Sequence, residues 1–194
     1  MGYRNGTYIA FDGLDQKNPS QSDFRYYGTI QAWAENKDIE FNYVDSHEKT
    51  YAVNDSSEKE TLISRIRERL SNSKNVIVII SSNTRMSGSM LSYEIEQAVD
   101  RYNLPLIIAY TDYSILANPS DLAPCWPTAL MLRVKNGKAK AIHVPFLKNA
   151  ILDAINQFDV HKGNLKSSLS HYSQSAHHSF DCISSQRIFI NTRK

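Results

Sequence analysis

The fold is decided in the stretch Asn75–Tyr102, NVIVIISSNTRMSGSMLSYEIEQAVDRY. Val76 to Ile80 is an unbroken, β-branched apolar run, which suits a strand buried on both faces of a parallel sheet. A polar turn, SSNTRMSGS, follows, and apolar residues then recur at Leu91, Ile95, Ala98, Val99 and Tyr102, the spacing of an amphipathic helix. A central strand therefore feeds a loop and then a helix. At ~100° per residue Glu94 falls on the border of the apolar stripe beside Ala98, whereas Glu96 and Asp100 point away from it. In open α/β sheets ligands bind beyond the carboxyl ends of the strands, so the first turns of this helix overlook the expected crevice. A carboxylate beside an apolar wall there is a candidate for binding or catalysis; the plainer reading is a solvated residue pairing with Arg101 or Arg85.

The flanking sequence repeats the strand-then-helix unit. Thr7 to Phe11 is a short β-rich run closed by Asp12-Gly13, and Asp23 is placed to N-cap a helix carrying Phe24, Tyr27, Ile30 and Ala34. Glu40 to Val44 alternates as a second strand and ends at Asp45-Ser46-His47. The connection after it, through Glu58, is long for a βα loop, and Ser57 with Glu60 reads as a capping box for a helix through Leu70. Pro105 to Tyr110 and Lys140 to Phe146 are the fourth and fifth strands. Leu147, Ala150, Ile151, Ala154, Ile155 and Phe158 then form a helical stripe. Residues 111–132 are Pro-rich and aperiodic, with room for one short helix. Right-handed crossovers turn this alternation into a doubly wound, five-stranded parallel sheet of flavodoxin-like type, order 2-1-3-4-5.

Composition narrows the class. A chain of 194 residues, 41% hydrophobic and 22% charged, suits one globular domain with an appendage. A formal charge of +2 without a basic run disfavours nucleic acid as the main partner. No stretch has the length of a membrane span, the start MGYRNGTYIAFDG does not resemble a signal peptide, and Cys125 and Cys182 lack metal-ligand spacing. The expectation is a cytoplasmic protein with reduced thiols and no membrane or metal partner. Beyond Val160 the chain turns Ser- and His-rich, and Gln186 to Ile190 is a candidate edge strand. A zinc site from His171, His177, His178 and Cys182 matches no familiar spacing and is not proposed.

With 7 glycines the chain has no G-x-G-x-x-G cradle, no P-loop and no G-x-S-x-G elbow, and Ser81-Ser82 stands where a receiver domain would carry its aspartate. The expected carboxyl ends instead bring together Phe11, Asp12, Asp45, Ser46, His47, Ser81, Ser82, Thr84 and Glu94. An aromatic ring among hydroxyls and carboxylates suits a polyhydroxylated ligand such as a nucleoside or nucleotide, because carboxylates accept from ribose hydroxyls and a ring face stacks a base. Taken singly, Phe11 reads as core, Asp12 and Asp45 as turn formers, and Thr84 and Ser87 as caps.

TYIAFD, FNYVDS, NVIVIISSNT and MLSYEIEQA together resemble a Toll/interleukin-1 receptor (TIR)-like domain, specifically the bacterial group that forms the ThsB component of Thoeris anti-phage defence. The resemblance implies a TIR-like domain over residues 1–160 and a separate extension over residues 161–194, packed on the domain. It also implies that Glu94, in the E-I-x-x-A helix, is the glutamate essential for cleaving the nicotinamide–ribose bond of NAD; Phe11, Asp12, Asp45, Ser46, Ser82 and Thr84, which converge at the strand ends, are then the expected substrate-binding residues. No cofactor is implied beyond NAD as substrate. The implied product is a cyclic ADP-ribose-type signal that diffuses to a partner effector, and the implied assembly is with other TIR domains through the loop at residues 48–58. Relatives place tryptophans where Met90 and Tyr93 stand, and one extra residue follows Ser87 here, so the isolated chain is expected to be silent until triggered. Two other readings share the sheet: a nucleoside deoxyribosyltransferase, which attacks a similar bond with a glutamate, and a TIR scaffold without catalysis.

Overall fold

Strand β3 (Ser73–Ile80) runs through the middle of the sheet and is buried at every position except the half-buried Lys74. The computed structural model describes residues 4–14, 23–35, 43–44 and 58–181. Around β3 stand β1 (Gly6–Ala10), β2 (Tyr43–Val44), β4 (Leu106–Tyr110), β5 (Ala141–Pro145) and β6 (Ser170–His171), in the order β2-β1-β3-β4-β5-β6. Every adjacent pair is parallel. The expected order of five strands holds, and the C-terminal extension adds a sixth beside β5. The segment expected to form an edge strand, residues 186–190, lies outside the described residues, as do residues 45–57 with their capping box and long loop.

Parallel strands need crossovers, and these supply helices to both faces. On one face Tyr8, Ala10, Val76, Val78, Ile80, Leu106 and Ile108 pack against α2 (Glu58–Ser71), α3 (Met90–Glu96) and α4 (Thr128–Lys135). On the other, Ile9, Phe11, Ile77, Ile79 and Ile107 pack against α1 (Phe24–Ala34) and α5 (Lys148–Gln157). The period-2 alternation of a strand thus assigns Tyr8 and Ala10 to the α2/α3 face and Ile9 and Phe11 to the α1/α5 face. Each β-branched residue buried this way contributes about 1.5–3 kcal/mol, so the apolar β3 run anchors both layers at once.

Two polar residues are buried inside the sheet and satisfied there. Thr7 Oγ1 donates to Asn75 Oδ1 at 2.7 Å, directly across the β1–β3 register. The Asn75 amide donates in turn to the carbonyls of Phe158 (2.8 Å) and Ile155 (3.3 Å) at the end of α5. This is why β3 starts three residues before its apolar run.

Three expectations need correction. Asp23 does sit at the N-cap of α1, but its side chain caps nothing and reaches across to the β3 loop instead. The helix after β3 is not one regular helix: α3 gives way to a π-helical turn, Gln97–Arg101, closed by Tyr102 N–H donating to the Gln97 carbonyl at 3.1 Å. Residues 111–135 hold two helical pieces rather than one, a 3₁₀ helix at Pro119–Cys125 followed by α4. Pro119 and Pro124 explain both the aperiodic sequence and the tighter helix.

The extension folds back over β5 and α5. His143, buried in β5, bonds through Nε2 to the Ser168 carbonyl at 3.0 Å and through Nδ1 to Tyr110 Oη at 2.7 Å. Trp126 Nε1 donates to the same Tyr110 oxygen at 2.7 Å. The carbonyl can only accept, so His143 carries its proton on Nε2, and Tyr110 donates to Nδ1 while accepting from Trp126. After β6, α6 (Gln174–Asp181) is held by Asn149 Nδ2 on the Phe180 carbonyl, and by the Tyr172 and Phe180 rings at 4.9 Å between centroids.

Candidate functional site at the β1/β3 switch point

In the strand order found here, the chain leaves β1 towards β2 on one side and resumes at β3 on the other. The carboxyl ends of β1 and β3 therefore flank the topological switch point, where such sheets open a crevice. Asp12 leaves β1 on one side of it, and the loop from Ser81 to Ser89 leaves β3 on the other.

Asp12 is fully buried, and Arg85 clasps it. Arg85 Nη2 lies 2.7 Å from Oδ1, Arg85 Nε lies 3.2 and 3.0 Å from Oδ1 and Oδ2, and the Arg85 amide donates to Oδ2 at 2.9 Å. The Leu14 amide donates to Oδ1 at 2.9 Å, with Leu14 itself left-handed at φ 53°. Burial alone would raise the Asp12 pKa, but these donors and the guanidinium charge outweigh it and hold the carboxyl below its ordinary value.

Asp23 forms a second knot. Its Oδ2 accepts from Ser81 Oγ at 3.0 Å and from Thr84 Oγ1 at 3.3 Å, while Thr84 Oγ1 accepts from the Ser81 amide at 2.9 Å. Burial pushes the Asp23 carboxyl up, Ser81 and Thr84 pull it down, and Asp12 nearby pushes it up again, with a net rise. Ser82 is exposed, and its amide donates to Asp112 beyond β4 at 2.9 Å. The Thr128 amide at the start of α4 donates to the Met86 carbonyl at 2.7 Å. The loop is thus fastened to β1, α1, the β4 end and α4.

Glu94 is not the border residue that its helical angle suggested. It is 5% exposed, on the face of α3 turned to the sheet, and Tyr8 Oη donates to its Oε1 at 2.5 Å. Burial pushes its pKa up to about 8; the Tyr8 hydrogen bond opposes this, Asp12 adds to it, and Arg69 on α2 opposes it. Neither Arg101 nor Arg85 pairs with Glu94 among the bonds of the described residues, and Arg85 is turned to Asp12.

Of the expected residues, Asp12 is joined to the β3 loop through Arg85, Thr84 of that loop is tied to Asp23 at the start of α1, Ser82 is exposed, and Glu94 is buried under α3 on Tyr8. Phe11 is placed differently: it is 7% exposed on the opposite face, its ring packed on Phe24 (5.9 Å) and Tyr27 (5.5 Å). Asp45, Ser46 and His47 lie outside the described residues. Sequence reasoning missed Tyr8, Asp23 and Arg85 as members of the site. Tyr8 sits within an apolar strand run and reads as core, Asp23 reads as a cap, and only the rarity of a buried, doubly clasped Asp12 points to Arg85.

A cavity of about 160 Å³ lies at the other end of the sheet, lined by Arg4, Tyr102, Asn103, Lys140 and Asp159 among others. Two of its charged groups have internal partners: Arg4 donates to the Tyr102 carbonyl, and Asp159 accepts from the amides of His161 and Lys162. The crevice with the perturbed carboxyls is the better site. Among the described residues no cluster of three or more His, Cys, Asp or Glu is arranged to hold a metal ion, and no helix is long and apolar enough to cross a membrane.

Beyond geometry, the sequence matches a known family. The family model described as Thoeris protein ThsB, TIR-like domain, matches residues 8–114, which run from Tyr8 through β4 and include Asp12, Arg85 and Glu94. That span covers more than half of the chain and the whole β1/β3 crevice, so the protein belongs to the Thoeris ThsB TIR-like family of anti-phage defence.

Proposed function

We propose that this TIR-like protein cleaves the nicotinamide–ribose bond of NAD, with Glu94 as the catalytic carboxylate. The observation that supports the reading is a buried carboxyl group on α3, the helix that follows the β3 loop at the switch point, close enough to Asp12 to feel its charge. Departure of nicotinamide leaves an oxocarbenium-like ribose, and a carboxylate in a dry site stabilises that developing positive charge far better than one in water. Asp12, Asp45, Ser46, Ser82 and Thr84 supply acceptors and donors for the ribose hydroxyls and phosphates, whereas Phe11, packed in the α1/α5 layer, supports the end of β1 rather than stacking a base. NAD is the substrate, and no further cofactor takes part.

Capture of C1′ by a hydroxyl of the same molecule gives a cyclic ADP-ribose-type product, and capture by water gives ADP-ribose. The first product suits a cytoplasmic enzyme that signals to a partner effector through a diffusible nucleotide. Burial holds Glu94 near a pKa of 8, so in this conformation the carboxyl is largely protonated at neutral pH and cannot stabilise a cation. Activity follows when assembly with other TIR domains, or the positive nicotinamide ring itself, favours the ionised form.

The test is NAD turnover by the full chain over a range of protein concentrations and crowding, beside Glu94→Gln and beside deoxynucleosides as substrates. Turnover that rises faster than linearly and disappears in Glu94→Gln is the expected result. Full activity in the Gln variant refutes the assignment of Glu94. Strictly linear turnover removes gating but leaves the enzyme, transfer between deoxynucleosides indicates the deoxyribosyltransferase chemistry, and silence at every concentration leaves a scaffold.

A further inference from the structure

Tyr8 brings one polar atom into a region that is otherwise apolar. Its ring is fully buried among Ala10, Ile66, Leu70, Leu91 and Ile95, and a phenylalanine would fill the same volume without needing a partner. The hydroxyl meets Glu94 Oε1 at 2.5 Å, the length of a strong hydrogen bond to a carboxyl group. Among the described residues this is the single hydrogen bond that the Glu94 side chain makes, so Oε1 is held while Oε2 is not. Because Tyr8 is set in the middle of β1, itself fixed by β3, the hydroxyl cannot follow the carboxyl if α3 shifts.

We infer that Tyr8 is the positioning residue of the site: its hydroxyl clamps Glu94 Oε1 from within the sheet and so presents Oε2 as the oxygen that meets the ribose. The inference rests on the reading of Glu94 given above. It differs from a purely structural role in what it requires of the proton. The charged and titratable groups acting on Glu94 are Asp12 from the end of β1, Arg69 from α2 and Tyr8 itself, and Tyr8 and Arg69 are the two that favour the ionised form. Removal of the hydroxyl leaves Glu94 facing Asp12 with Arg69 alone to oppose it.

Tyr8→Phe tests this. The titration of the Glu94 carboxyl, followed by its ¹³C resonance in the full chain, is expected to move upward by about one pH unit or more. In the concentrated, active preparation kcat is expected to fall by at least about tenfold with KM changed less than about twofold, and the alkaline-rising limb of the pH profile should move with the titration. An unchanged Glu94 titration overturns the inference, and so does a variant that turns over NAD faster than the parent, which would make Tyr8 a restraint rather than a positioner. If neither protein cleaves NAD, the enzyme reading fails while the titration still decides whether Tyr8 governs Glu94. The unsubstituted chain gives a further check independent of the variant's folding: a slowly exchanging, far-downfield hydroxyl proton assignable to Tyr8, whose absence contradicts the clamp.

Discussion

The guanidinium of Arg85 lies 2.7 Å from the fully buried carboxylate of Asp12, 73 residues away in sequence, and closes the β3 loop against the end of β1. Arg85 remains about one-third exposed, with a side-chain relative accessibility of 32%. Solvent therefore screens the Coulombic part, and the hydrogen bonds carry most of the effect.

Arg85→Gln should destabilise the protein by about 1–3 kcal/mol at neutral pH, because it leaves Asp12 charged and short of donors. The Asp12 pKa is lowered in the folded state, so its stabilisation is present above the unfolded value and is lost as the pH falls through the folded one. The gap between parent and variant should accordingly narrow below pH 3.8. Thermal unfolding across an acid series reads this directly; a gap that stays constant with pH would show that the clasp acts through packing alone.

Glu94 predicts the opposite slope. Its folded pKa of about 8 lies above the ordinary 4.5, so the folded chain binds the extra proton between those values. The stabilisation is complete below pH 4.5 and fades as the pH rises to about 8. Glu94→Gln, which mimics the protonated acid, should match the parent at low pH and exceed it in alkaline solution by on the order of 5 kcal/mol. Denaturant melts at the two ends of this range provide the measurement. Equal slopes would mean that Glu94 is ionised in the resting fold.

The chain Trp126–Tyr110–His143–Ser168 ties the β4 end to the C-terminal extension. Tyr110→Phe removes the central oxygen and leaves a buried indole N–H and an imidazole nitrogen without it, at a cost of about 2–4 kcal/mol in unfolding free energy. Burial lowers the His143 pKa from 6.5 to about 4, so this residue contributes stability that declines as the pH falls through that interval. Hydrogen exchange at Ser168–His171 should quicken in the variant before the rest of the sheet does. Uniform quickening would instead show that the extension is no separate cooperative unit.

The sheet was legible because its strands are buried on both faces, and such runs announce themselves without regard to partners. Val76–Ile80, Leu106–Tyr110 and the stripe of α5 lay where their periodicity put them. The polar start of β3 was not legible: Asn75 enters a strand only because Thr7 and two α5 carbonyls are there to meet it. Glu94 was found by its place on the helix, yet its burial was not, since an angular position does not say that a tyrosine lies beneath. Arg85 and Asp23 act through contacts 73 and 58 residues long, and no local pattern encodes either. The two proline-bearing turns of residues 119–125 have no amphipathic period to read.

The Thr7–Asn75 hydrogen bond has a consequence at the far end of the strands. An apolar strand buried on both faces can slide along its neighbour by two residues and still present the same kind of surface to each layer. Oil alone cannot choose among those alignments. A slide by two would set Thr7 against Ile77 in one direction and Ser73 in the other, and either would rob Asn75 of its partner, so this one bond works as the detent that selects a single alignment. The same slide would carry Asp12 roughly 6–7 Å past the Ser81–Arg85 loop, well outside hydrogen-bond reach. A threonine at the floor of the sheet thus sets the height at which the carboxylates meet at its roof, and a change at position 7 can misalign the crevice without touching it.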